Sequence, residues 1–285
     1  MSGSDWRPVR SVDRRQLSEA RVEAHYAVQW LARAARAFIA PRPGDSHTNL
    51  GWDEALGGLR THRLPDGMRL GLIVADLTLL LLMPDPAAPP YALSLSGRTD
   101  ADARAWLGRL VAAQGLDAAA LDDPSPYEMP AHATANGAPY AGTELADALG
   151  TLATWFGNAN YVLGRARQEL IARKLDAPPV RCWPHHFDLD ILVAFDRPAP
   201  DDSGSMGVGF SPGDEHYDEP YFYVTIYPHP DVAALPHLPE VGHWHSNHFT
   251  GAIAPAHRIV AALDQREAVE VFQRVAIEAA VKALS

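Results

Sequence analysis

The chain has one cysteine in 285 residues, Cys182, and that scarcity excludes an intrachain disulfide. A lone thiol fits a reducing compartment. With Trp183 and Pro184 behind it, Cys182 reads as a small buried residue at the start of a strand, not as a nucleophile. Positive charge is also scarce: Lys and Arg total 24 against 35 Asp and Glu, a formal charge of −11. Phosphate backbones are held by Lys and Arg, and no basic run or stripe is present, so nucleic acid is not an expected partner. Long apolar stretches are missing as well. The longest, Leu72 to Met83, contains Asp76 and falls well short of the about 20 residues that span a bilayer. It reads as a buried strand, and no membrane partner is expected. Residues 1–16 carry Arg7, Arg10, Arg14 and Arg15 but no apolar signal core, which points to a cytoplasmic protein. Other catalytic signatures are absent: no GxxxxGK[ST] loop, no GxGxxG after a strand, no HExxH and no paired CxxC. Nucleotide cofactors are therefore not expected.

What remains is a globular composition, 47% hydrophobic and 21% charged, long enough for two domains or one large one. Val22, Tyr26, Trp30, Ala34 and Phe38 recur every four positions and predict a helix from Leu17 to Ile39, stopped by Pro41. Strands are expected around Ala55–Leu64, Met68–Met83 and Tyr91–Ser96. Thr99 with Asp102 forms a capping box for a helix through Ala113. Residues 116–141 have little periodicity and read as a linker or a surface loop. A long helix from Glu144 to about Lys174 follows, then strands at Val180–Phe195, Met206–Phe210, Tyr221–Tyr227 and Gly242–Thr250. The closing helix starts at Asp264 and Glu267, with Val271, Phe272, Val275 and Ala279 as its stripe. Helices flanking grouped strands give the α+β class with mainly antiparallel sheets. The order suggests two units, 1–141 and 142–285, as a pseudo-duplication, the second carrying the histidine cluster.

Nine of the thirteen histidines fall in the last 106 residues, several beside carboxylates. Imidazole titrates near neutrality and is the commonest metal ligand, so this mixture nominates a site. If Trp183–Val193 is extended, His185 shares the apolar face with Phe187 and Leu189, and His186, Asp188 and Asp190 share the other. His243 and His245 are spaced to project on one side of a strand, where two imidazoles can reach one ion. His216, Glu215 or Glu219 of the acidic loop, or His186 with Asp188, would complete it. The expected metal set is His243, His245, His216 and His186, and the expected catalytic set is His186, Asp188, His216 and Glu215. With no thiolate, such ligands suit Zn, Mn or Fe. Without a metal, His186 with Asp188 or Asp190, or His245 with Glu215, would make a general base. Tyr221, Tyr223, Thr225 and Tyr227 share a strand face, which suits a cleft wall or a half-exposed sheet. Gly207-Val208-Gly209 sits between strands and signals a bulge or a close backbone contact. His47 is a further candidate, while His25 is expected at solvent or the sheet edge.

Cys182-Trp183-Pro184-His185-His186-Phe187-Asp188-Leu189-Asp190, Gly207-Val208-Gly209-Phe210-Ser211-Pro212-Gly213, Tyr221-Phe222-Tyr223 and Tyr227-Pro228-His229-Pro230 together resemble a family of bacterial cytosolic proteins classed as a domain of unknown function. His47-Thr48-Asn49-Leu50 and Asp76-Leu77 extend the resemblance over about residues 20 to 280. The chain departs from the family pattern at His185-His186, where a small pair such as Gly-Ser is usual. The resemblance implies a shared architecture and carries no reaction, cofactor or catalytic residue. Two functions stay open: a small-molecule enzyme with a His/carboxylate site, with or without a divalent metal, and a non-catalytic ligand-binding or assembly protein whose histidines are structural. The expected partner is a small molecule, and the sequence sets no oligomeric state.

Overall fold

The computed structural model describes residues 6–10, 13–195, 204–247 and 249–285, so His248 lies outside the described residues. The chain forms two compact units. The N-terminal unit is Val12–Ala153 with Cys182–Phe187, and the C-terminal unit is Met1–Ser11, Thr154–Arg181 and Asp188–Ser285. Helices and two antiparallel sheets make the fold α+β.

In the N-terminal unit, helix α1 (Arg14–Phe38) is capped by Asp13, whose carboxylate accepts the amides of Arg15 and Gln16. Strands β1 (Gly51–Asp53), β2 (Gly58–Arg60), β3 (Arg69–Ile73), β4 (Thr78–Leu82) and β5 (Tyr91–Ser94) form a sequential meander. The apolar run expected as a single strand is thus a hairpin. Its turn, residues 74–77, places Leu77 at φ 52° and lets Asp76 accept the Thr78 amide at 3.1 Å. Both arms read as continuously apolar because Leu70, Leu72, Leu79 and Leu81 are all fully buried. Helix α2 (Asp100–Ala113) starts at the expected capping box of Thr99 and Asp102.

Residues 116–141 are a surface-crossing segment, not a linker. They hold two short 3-10 turns and lie on α1, with the Tyr26 hydroxyl donating to Pro130 O at 2.6 Å and Tyr127 to Gln29 Oε1 at 2.7 Å. Sheet on one side and this segment on the other bury α1 from Glu23 to Ala32 nearly all round. His25, expected at solvent, is therefore inside. Its Nε2 donates to Pro184 O at 2.8 Å and its ring stacks on Phe187 at 5.3 Å. Burial pushes its pKa down to about 4.

Helix α3 (Ala146–Ala172) carries the division between units, after Ala153. Beyond it come β6 (Arg181–Trp183), β7 (Asp188–Phe195), β8 (Gly204–Ser211), β9 (Tyr221–Tyr227), β10 (His243–His245), β11 (Gly251–Pro255), and helices α4 (Ala256–Ala261) and α5 (Gln265–Leu284). The sheet order is β10-β11-β9-β8-β7-β6, unlike the meander of the other sheet, so the two units do not repeat one topology. Residues 180–195 are two strands, not one. The Trp183 carbonyl accepts the amides of His186 and Phe187, and Phe187 sits at φ 59°, which closes a turn at 184–187. The expected alternation of His185 and His186 across strand faces is lost there.

On one sheet face Leu189, Phe210, Phe222 and Ala252 meet the helices. Trp155 and Phe156 lie 6.1 and 5.5 Å from Phe210, and Phe272 of α5 is fully buried. The buried stripe of α5 runs through Val269, Phe272, Ala276 and Ala280, rotated from the expected one, so Val271 and Val275 are half-buried. Residues 6–10 are fastened by two side-chain amides: Asn158 bonds both backbone groups of Arg7, and Gln265 both of Val9, at 2.7–2.9 Å. Among the described residues no helix is long and apolar enough to cross a membrane.

Candidate functional site

The other face of the C-terminal sheet carries the chemistry. Strand pairing sets Asp190 opposite Gly209, Gly209 opposite Tyr223, Tyr223 opposite Ile253, and Ile253 opposite His243, so these five form one row. A second row runs Gly207, Thr225, Gly251, His245. The glycines of the Gly-Val-Gly motif lie inside a regular strand, and their purpose is close contact. A Cβ on Gly209 would collide with the Tyr223 ring and lie 2.7 Å from the Leu189 carbonyl oxygen, and one on Gly207 would lie 2.6 Å from Thr225 Oγ1. Bare backbone there lets the Tyr223 ring lie over β8, and its hydroxyl donates to Asp188 Oδ2 at 2.6 Å. The face read from sequence as a cleft wall or a half-exposed sheet is thus largely interior at Tyr221 and Tyr223.

Asp188 and Asp190, two apart on a strand, share this face. Burial raises the pKa of Asp190 well above the usual carboxylate range, and the negative charge of Asp188 adds to it. Asp190 Oδ1 is buried without a hydrogen-bond partner. Burial, then Asp188 and Asp190, likewise raise Tyr223 and keep its phenol protonated.

Toward β10 the face becomes a chain of rings. Asp214 Oδ1 accepts the amides of His216 and Tyr217 in an Asx turn, and its Oδ2 accepts the Tyr221 hydroxyl. That turn aims Tyr217 at the two β10 imidazoles, its hydroxyl 3.0 Å from His243 Nε2 and 2.9 Å from His245 Nδ1. His245 Nε2 bonds the Asn247 carbonyl, and its ring stacks on Phe249 at 4.2 Å. His243 Nδ1 is buried with no hydrogen-bond partner. Burial, then Arg258 and His245, lower the pKa of His243, while burial and Asp214 raise that of Tyr217.

Of the residues nominated from sequence, His243, His245 and His216 are gathered in this region. The His216 ring lies 6.4 Å from that of His245 and 5.9 Å from Phe249. Glu215 is exposed, 3.7 Å from His216. Glu219 is buried and takes both the amide and Nδ1 of His257, at 2.8 and 2.7 Å. His186 is exposed in the 184–187 turn with its ring 4.1 Å from that of His185. His47 is buried and accepts the Arg42 amide at 3.3 Å. Cys182 is buried, as expected. Tyr217, which joins the imidazoles, was not nominated; the only sequence trace of its role is Asp214 three residues before it.

Among the described residues, the group of three His, Cys, Asp or Glu side chains whose ligand atoms all lie within 4.8 Å of one another is elsewhere: Glu19, Glu23 and His132 of the N-terminal unit. The four imidazoles nominated as metal ligands make no such group. Burial raises the pKa of Glu23, and the Ala141 amide and His132 oppose this only in part.

Residues 57–285 match DUF5996, a family of unknown function, and the chain belongs to that family. Comparison with curated proteins and with solved structures returned no match.

Proposed function

We propose that the chain is a small-molecule enzyme of the acid-base type, with His243 as its proton acceptor. The observation that carries this reading is the Tyr217 hydroxyl bridging His243 and His245. A carbonyl only accepts, so His245 Nε2, bonded to Asn247 O, holds a proton. With His245 neutral, its Nδ1 then accepts from Tyr217. The phenol has one proton, so its contact with His243 requires His243 Nε2 to donate. Neutral His243 is left with an unprotonated Nδ1, the atom that has no partner. A substrate hydroxyl or amide proton taken up at Nδ1 would place positive charge on His243, whose Nε2–H already donates to the Tyr217 oxygen while that phenol points its own hydrogen at His245. Because the facing nitrogens are committed to Tyr217, this arrangement favours proton transfer over chelation of Zn, Mn or Fe by the histidine cluster. A buried Cys182 and a charge of −11 support a reducing, cytoplasmic setting and a small-molecule partner in place of nucleic acid.

Nitrogen-15 NMR of the imidazoles tests the reading. His243 is expected as the Nε2–H tautomer at neutral pH, with Tyr217→Phe abolishing the coupling between the two rings. Small alcohols and amides that bind should shift His243 Nδ1 first. A proton resident on Nδ1, or ligands that leave His243 unmoved, would reject it. The burial of Nδ1 favours a second reading in which the phenol only pins β10. In that case Tyr217→Phe lowers stability and no ligand perturbs the ring.

A further inference from the structure

We infer that Glu19, Glu23 and His132 form a binding site for one divalent transition-metal ion. Glu19 and Glu23 are four apart on α1, one helical turn, so their carboxylates point the same way. His132 comes from the segment laid over that helix, and its Nε2 faces both, 2.8 Å from Glu19 Oε1 and 4.0 Å from Glu23 Oε1. A tetrahedral ion with ligands at about 2.0–2.2 Å requires donor atoms about 3.3 Å apart. The two observed separations bracket that value, so small side-chain rotations are enough.

Two further observations separate this group from an ordinary surface ion pair. Glu23 is only 2% exposed, and its Oε2 is buried with no hydrogen-bond partner, an acceptor that a cation would satisfy. The imidazole is also held from behind. Nδ1 lies 3.0 Å from Thr134 Oγ1, the position in which an orienting partner sits behind a metal-bound histidine. As the ring stands, Nδ1 accepts the Thr134 amide at 3.3 Å and Nε2 donates to Glu19. Loading moves that proton: Nδ1–H donates to Thr134 Oγ1, whose own hydrogen already points to Glu23 Oε1 at 3.5 Å, the Thr134 amide gives up its bond to Nδ1, and Nε2 offers its lone pair to the ion. The loop is fixed independently by Tyr26, whose hydroxyl holds Pro130 O and whose ring lies 5.7 Å from His132.

One imidazole and two carboxylates, with no thiolate, select a borderline or harder divalent ion such as Zn or Mn. Three protein ligands leave a coordination position open, the arrangement that accepts a water or a ligand oxygen. The site is separate from the His243 relay and does not depend on it.

The test is titration of the full, untagged chain with Zn²⁺ by calorimetry and with Co²⁺ by visible absorption. One equivalent is expected, with a Co²⁺ spectrum of low coordination number. Glu23→Gln and His132→Ala should each weaken binding at least about tenfold, and Thr134→Val by a smaller factor. If His132→Ala fails to fold, Glu19→Gln, at a half-exposed side chain, carries the same expectation. Equal affinity in the parent and these variants, no binding by the parent, or loss of binding in His245→Ala but not in Glu23→Gln would each overturn the assignment.

Discussion

Two pairs of carboxylates share a face in this molecule by different periodicities. Asp188 and Asp190 do so on a strand, two apart, and Glu19 and Glu23 on a helix, four apart. Their surroundings resolve the like-charge conflict in opposite ways. The aspartates lie under a tyrosine face, and Asp190 answers by holding its proton more tightly. The glutamates have His132 set against them and one member, Glu19, left in water. An acid pair buried beneath phenols becomes a proton store, whereas one given an imidazole becomes a place for positive charge.

The comparison breaks most sharply at Gly209. An alanine there forces the Tyr223 ring off the strand, and a loss of about 3 kcal/mol is expected in urea unfolding, with the aspartates opened to water. Tyr223→Phe keeps the ring and removes its bond to Asp188, so a loss of about 1.5 kcal/mol should appear in the same assay.

Asp190→Asn sharpens the contrast through pH. Asp190 is raised above its ordinary 3.8, so the folded chain binds this proton more tightly than the unfolded chain. Its contribution to stability is therefore complete below pH 3.8 and is lost as the pH climbs toward the folded-state value. Removing the ionisation should flatten that slope and raise stability at neutral pH by about 1 kcal/mol, read from unfolding midpoints across a pH series. Smallest is Glu19→Gln, where a half-exposed pair with His132 is lost and thermal unfolding should show a change within about 0.5 kcal/mol.

Local signals in the chain are reliable where they are steric. The Thr99–Asp102 box, the Asp264 cap, the stop before Pro41 and the crowding at Gly207 and Gly209 all follow from hydrogen bonds or contacts that neighbouring residues impose. The two unforeseen hairpins have a common cause. Leu77 and Phe187 take left-handed backbone geometry normally given to glycine, and their buried side chains hold them in it. A leucine inside an apolar run, or a phenylalanine between a histidine and an aspartate, gives no sign of a turn. Only Asp76, and Pro184 in the second hairpin, stand out.

The site divides along the same line. That His243 and His245 would point one way follows from strand periodicity, and their abundance of imidazole neighbours is written in the chain. That a tyrosine from the acidic loop would join them depends on how Asp214 turns the backbone. Glu19 and Glu23 carry the spacing of one helical turn, yet nothing adjacent marks them, because their third partner is 113 residues from Glu19. Class, element types and the single-sided pairing of residues came from short-range sterics and hydrophobic periodicity, which act between neighbours along the chain. Which acids met phenols and which met an imidazole was decided by tertiary packing, since burial and charge partners exist only once distant segments have been brought together.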